Sequence, residues 1–145
     1  MFPKNELNRR LDETPVARLA TMGTKGPHIV PVVFVRVRKD IVIPIDGKPK
    51  KGTPLQRELN IERNHNVSLL IDHYETDWSK LWWLRIDAQA YRITLDPSSL
   101  VNLRKKYANY RSHVDPGEFG FRLKIQHVVT WAGEAGNPLF SSPTH

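Results

Sequence analysis

VARLATMGTKGPHIVPVVFVRVR, Val16 to Arg38, decides the fold. Val16 to Met22 alternates as a strand does. GTKGP supplies turn residues, and His28 to Arg38 is dense in β-branched side chains, which favour a pleated surface. Two strands joined by so short a turn make an antiparallel hairpin. Pro31 cannot donate a ladder hydrogen bond, so the second strand is expected at an edge or to carry a bulge. Upstream, Leu7 and Leu11 lie four apart and share a face of a helix over 3–13, which Pro15 ends. Downstream, RKD turns the chain into a third strand, Ile41 to Ile45.

Past Ile45 the elements stay short. Pro54 suits the first turn of a helix to Asn64, with Leu55, Leu59 and Ile61 facing inward. VSLLIDHY, Val67 to Tyr74, reads as a largely buried strand, and Leu81 to Leu95 as a long one interrupted by polar Asp87 and Gln89. Asp96 and Pro97 open a helix to Tyr110 with Leu100, Leu103 and Tyr107 at helical spacing. Phe121 to Trp131 then alternates Phe121, Leu123 and Ile125 against Arg122, Lys124 and Gln126, one face buried and one wet. Six strands with short helices between them, joined by hairpin-length connections that cannot host parallel crossovers, predict a mainly β fold: a six-stranded antiparallel barrel. The chain is expected to be one domain over 1–145, with a loose tail over 134–145.

Composition narrows the function classes. With 39% hydrophobic and 26% charged residues, the 145-residue chain is ordinary for a globular domain. No stretch approaches the roughly 20 apolar residues that span a bilayer, so no membrane role is expected. MFPKNELNRR lacks the apolar segment of a secretory signal, and a cytoplasmic location fits. The absence of cysteine excludes disulfides, thiolate nucleophiles and Cys-ligated metal. A formal charge of +7 favours an anionic partner.

Side-chain catalysis has little to stand on. There is no HExxH, GxSxG or P-loop, and His73 beside Asp72, Glu75 and Asp77 reads as a polar loop rather than a metal site. An enzyme built from this chain would draw its reactivity from a bound cofactor. IDGKPKKGTP, Ile45 to Pro54, gathers three lysines on a stiff loop between a strand and a helix start, an arrangement that repels itself unless an anion is near. Trp82 and Trp83 are adjacent in a strand and point to opposite faces, so one needs a cover from a subunit interface or a neighbouring helix. Trp78, in ETDWSK, could plug the core or stack on a flat ligand.

VARLATMGTKGPHIVPVVFV, IDGKPK, LNIERNHNVSLLIDHYETDWSKLWWLRIDAQAYRI and VVTWAG, in this order, resemble the pyridoxamine 5′-phosphate oxidase-like split-barrel family. Within it, the chain is most similar to the branch of small deazaflavin (coenzyme F420)-dependent oxidoreductases. The resemblance implies an FMN-binding type of split barrel, a homodimer with two interface sites, and F420 or FMN as cofactor. It implies Lys48 and Lys50 as phosphate ligands, helped by Lys51, Thr53 and the following helix N-terminus. It also implies a ring laid along Pro31, Val32 and Val33, flanked by Thr21, Ile45 and Asp46, with Asp77, Trp78 and Ser79 donated by the partner subunit. The activity implied is hydride transfer between the cofactor and an unidentified small molecule. No general acid stands out in the sequence; solvent or a nearby group such as His73, Tyr74 or Arg85 could provide or stabilise a proton where the acceptor needs one. A different class, a nucleic-acid-binding barrel, draws on the basic and aromatic RKKYANYR, Arg104 to Arg111, although that segment also reads as an amphipathic helix with its charges in water. A haem-handling or cofactor-carrying barrel without catalysis is a further alternative.

Overall fold

The computed structural model describes residues 2–45 and 54–133. Helix α1 (Lys4–Glu13) precedes the hairpin β1 (Ala17–Gly23) and β2 (Gly26–Val32), which Gly26 turns at φ +121°, where a side chain would strain the backbone. Strands β3 (Val35–Val37) and β4 (Asp40–Ile45) form a second hairpin. Then come α2 (Gln56–Arg63), β5 (Asn66–His73), a single 3-10 turn (Trp78–Lys80), β6 (Trp82–Thr94), α3 (Pro97–Lys106), α4 (Asn109–Ser112) and β7 (Phe119–Ala132).

All seven strands belong to one antiparallel sheet ordered β2-β1-β5-β6-β7-β4-β3. Its two edge strands are consecutive in the chain and separated only by Val33 and Phe34. Three residue steps reach about 11 Å at most, so the sheet must curl until its edges almost meet. Chain continuity thereby closes the barrel. The expected count of six strands is corrected to seven among the described residues, because His28 to Arg38 is interrupted where it passes from one edge of the sheet to the other. Pro31 does lie in an edge strand, where a missing N–H costs least.

The barrel is filled by the inward side chains of alternating positions, among them Leu19, Phe34, Ile43, Leu69, Ile86 and Phe121, each at most 1% exposed. Leu11 and Leu7 bring α1 against this core, as their spacing predicts. A second cluster, Val35, Val37, Val42, Leu95, Leu103 and Tyr110, packs α3 onto the outer face of the β3–β4 hairpin. Three helix readings change. Positions two apart on a helix stand about 200° apart, so α2, having turned Ile61 inward, leaves Leu59 38% exposed. Pro54 stands outside α2, whose start is capped instead by the Glu58 carboxylate accepting from the Leu55 N–H at 2.9 Å. The helix expected to run from Asp96 to Tyr110 stops at Lys106, and α4 follows as a separate turn.

Candidate functional site

Strand β3 is short, pairing only with Asp40, Ile41 and Val42 of β4. Ile43, Pro44 and Ile45 continue along β7 on one side and have no strand on the other among the described residues. Strand β2 likewise pairs with β1 alone. Two unpaired strand edges therefore border a split where the barrel closes. The fold brings four of the expected residues to it: exposed Pro31, buried Val32, half-buried Val33 beyond the end of β2, and half-buried Ile45 at the end of β4. Asp46, Lys48, Lys50, Lys51 and Thr53 lie outside the described residues. In the chain they join Ile45 to the start of α2.

Thr21 is buried at 4% exposure near the end of β1, and α2 is fastened over it. The Asn60 side-chain amide, 2% exposed, donates to the Thr21 hydroxyl at 2.9 Å and accepts from the Gln56 side-chain amide at 2.9 Å. Buried amides hold such places only when hydrogen-bonded. His28 pairs with Thr21 across the ladder and shares its face, and the His28 Nδ1 is buried with no hydrogen-bond partner among the described residues. Asn60 is the residue that sequence reasoning missed; the polar i,i+4 pair Gln56 and Asn60 on a helix credited only with apolar contacts is the signal that could have found it.

Trp78 and Ser79 stand elsewhere. Thr21 lies level with Val67, from the pairing of Ala20 with Ser68, and the 74–81 loop leaves the sheet after His73. Six strand residues separate those levels, roughly 20 Å. One chain therefore does not bring Trp78 and Ser79 to Thr21. Trp78 is 53% exposed, with its indole N–H 3.4 Å from the Tyr74 hydroxyl, itself on an exposed residue. The Asp77 carboxylate accepts from the Ser79 hydroxyl at 2.7 Å and its N–H at 3.1 Å, which holds that carboxyl below the usual range. His73 and Tyr74 are at this same end, and among the described residues no three of His, Asp and Glu group as a metal centre.

Residues 3–132 match the profile of the pyridoxamine 5′-phosphate oxidase family. The chain belongs to that family. Proteins of known structure share its fold at low identity. A conserved hypothetical protein of Mycobacterium tuberculosis is 20% identical with a TM-score of 0.74, over 99% of this chain and 94% of that one. An FAD-binding protein of Mesorhizobium loti is 16% identical with a TM-score of 0.66, over 89% and 92%. The haem storage protein of Vibrio cholerae is 19% identical with a TM-score of 0.64, over 91% and 95%. No curated protein matches the chain in sequence. No helix among the described residues is long and apolar enough to cross a membrane.

In this member of the pyridoxamine 5′-phosphate oxidase family, the outer faces of β1, β5, β6 and β7 form rows. Register places Arg18, Leu70, Arg85 and Val129 in one row, and Asp72, Trp83 and Trp131 in the next. Trp82 packs inward against the core and Trp83 faces outward, as adjacency requires. Arg18 pairs with Asp72 at 3.4 Å; Arg85 grips both oxygens of Asp87 at 3.0 and 3.1 Å, and the Ser68 hydroxyl donates to Asp87 at 2.8 Å. Burial opposes ionisation of Asp87, but those donors outweigh it and hold its carboxyl below the usual range. Beside this cluster β6 and β7 shift register between Asp87 and Ala88, and an open groove of about 400 Å³ is lined by Ala20, Met22, Ser68, Asp87 and Gln126. Arg85, one of the groups that could provide or stabilise a proton, is held in an ion pair on this face.

Proposed function

We propose that this protein is a flavin-type oxidoreductase that transfers a hydride between coenzyme F420, or FMN, and a small-molecule acceptor. The observation that carries the reading is the split: two strand edges, unpaired among the described residues, meet beside the end of β4, and in the sequence the Lys48-Pro49-Lys50 segment begins three positions after Ile45. The residues fit such a group. An edge strand offers unpaired backbone to a planar heterocycle, Pro31, Val33 and Ile45 line it with aliphatic surface, and Lys48 and Lys50 supply charge for a phosphate. The buried His28 Nδ1, without a hydrogen-bond partner among the described residues, adds a polar atom on the same strand. When bound, a reduced flavin or deazaflavin supplies the hydride. The chain's part is to hold the phosphate, orient the ring and keep water from it.

The active unit in this reading is a homodimer. The outer rows carry Arg18 and Arg85 against Asp72 and Asp87, a neutral patch around Leu70 and Trp83 in a chain of charge +7. A two-fold interface needs a self-complementary surface, and this is where two positively charged copies can meet without repulsion. A dimer also gives Trp78 and Ser79, remote from Thr21 in their own chain, a partner's split to reach.

Titration of the purified protein with F420, FMN and hemin, each followed by tryptophan quenching or absorbance, tests the proposal. Saturable binding of F420 or FMN, weakened at least about tenfold by Lys48→Ala with Lys50→Ala, is expected. Binding of hemin alone, or of none of the three, would overturn it.

A further inference from the structure

The two residues that close the barrel are gripped by the end of α3. Phe34 is fully buried, and its N–H donates to the Tyr107 hydroxyl at 3.0 Å. That hydroxyl shares its single proton between the carbonyls of Phe34 at 2.9 Å and Pro15 at 2.7 Å. Beside it, the Lys106 ammonium sits 3.6 Å from the centre of the Phe34 ring and donates to the Leu11 carbonyl at 2.9 Å. A ladder would normally satisfy the backbone of Phe34, but here the chain is crossing between sheet edges with no neighbouring strand among the described residues, so one side chain does the work. The same side chains tie Pro15 and Leu11, the chain leading into β1, to this crossing.

The spacing of the two free edges depends on this crossing. Val32 ends β2 and Val35 begins β3, so wherever Phe34 is held, the unpaired edge of β2 is held against the hairpin that carries β4. We propose that Tyr107, seconded by Lys106, is a positioning residue that sets the width of the split and so the affinity for the planar cofactor, without touching it. This inference rests on the cofactor reading above and adds to it a determinant outside the split. Helix α3 approaches from the outer side, packed on Val35, Val37 and Val42, so Tyr107 acts through the crossing it holds, by its bonds to Phe34 and Pro15 and the cluster it shares with Val33. The break of the helix at Lys106 also acquires a purpose. A continuing helix would carry the Tyr107 ring around α3, whereas the extended backbone of Tyr107 (φ −119°, ψ 112°) turns it toward the crossing.

Tyr107→Phe keeps the ring and removes the hydroxyl. Ile86→Val, on β6, the middle strand of the sheet and so across the barrel from the split, serves as a control of comparable cost to stability. Dissociation constants for FMN and F420 and amide exchange at Val30, Val32, Val33 and Phe34 are measured for wild type, both variants and Lys106→Met. Tyr107→Phe is expected to weaken cofactor binding about tenfold and to speed exchange at those amides, Lys106→Met to do the same more weakly, and Ile86→Val to do neither. Unchanged affinity in Tyr107→Phe, or an equal loss in Ile86→Val, overturns the proposal. Should wild type bind neither cofactor, the functional reading fails, and unaltered exchange at Val30 to Phe34 in Tyr107→Phe overturns the clasp independently. If Tyr107→Phe does not fold, Lys106→Met decides by the same two measurements.

Discussion

Lys106 should make the protein more stable as the solution turns alkaline, against the usual behaviour of a folded chain. Burial between α1, Phe34 and α3 lowers its pKa from the ordinary 10.5 to about 8, with Asp12 opposing the shift and Arg36 adding to it. The unfolded lysine keeps its proton to about 10.5 while the folded one releases it near 8, so between those values unfolding takes up a proton. Raising the pH through that window therefore favours the folded state. The full shift corresponds to about 3 kcal/mol; the ammonium keeps part of its hydration, and solvent screening reduces the expected gain to roughly 1 kcal/mol by pH 10. Tyr107 bounds the gain from above. Burial raises its pKa from 10.0 to about 12, so beyond pH 10 the unfolded tyrosine ionises first and stability falls. The assay is urea denaturation followed by tryptophan fluorescence at pH 7, 8.5 and 10. Wild type should gain about 1 kcal/mol over Lys106→Met, a comparison that cancels the loss of net positive charge common to both. Parallel pH profiles for the two proteins would refute the reasoning.

Other consequences are as concrete. Asn60→Ala leaves the Thr21 hydroxyl and Gln56 amide without their partner in a site only 2% exposed, and should cost about 2 kcal/mol in urea titration; a loss under about 0.5 kcal/mol would mean the network is not closed to water. Gly120→Ala places a methyl 2.7 Å from the Ile43 carbonyl and 2.8 Å from Leu95, forcing β4 away from β7 at the border of the split; a lowered melting temperature is expected, and an unchanged one contradicts that packing. Leu70→Glu adds an acid to the neutral outer patch, and sedimentation equilibrium should find a dimer in wild type and a monomer in the variant. A wild-type monomer would remove that interface from the functional reading.

The local pattern alone determined a good deal. Alternation placed the strands within a residue or two, Gly and Pro placed the turns, Pro31 pointed to an edge, and the motif order pointed to the family. These are properties of neighbouring residues, written in period and backbone preference. The tertiary structure decided the rest, because it depends on which distant groups meet. The run from His28 to Arg38 carries no mark of its break; only the sheet order shows that Val33 and Phe34 must cross between edges. Leu59 and Ile61 look equally apolar, and the choice of Asn60 as the buried neighbour was made by Thr21, which lies 39 positions away. Tyr107 reads as one more apolar contact of a helix, yet its hydroxyl closes a hydrogen-bond account 73 positions away that no strand could close. The resemblance assigns Trp78 to a partner's site, and the fold supplies the distance within one chain: strand length sets it at the other end of the barrel from Thr21. Sequence named the elements; long-range hydrogen bonding and the closure of the sheet decided which residues face the split.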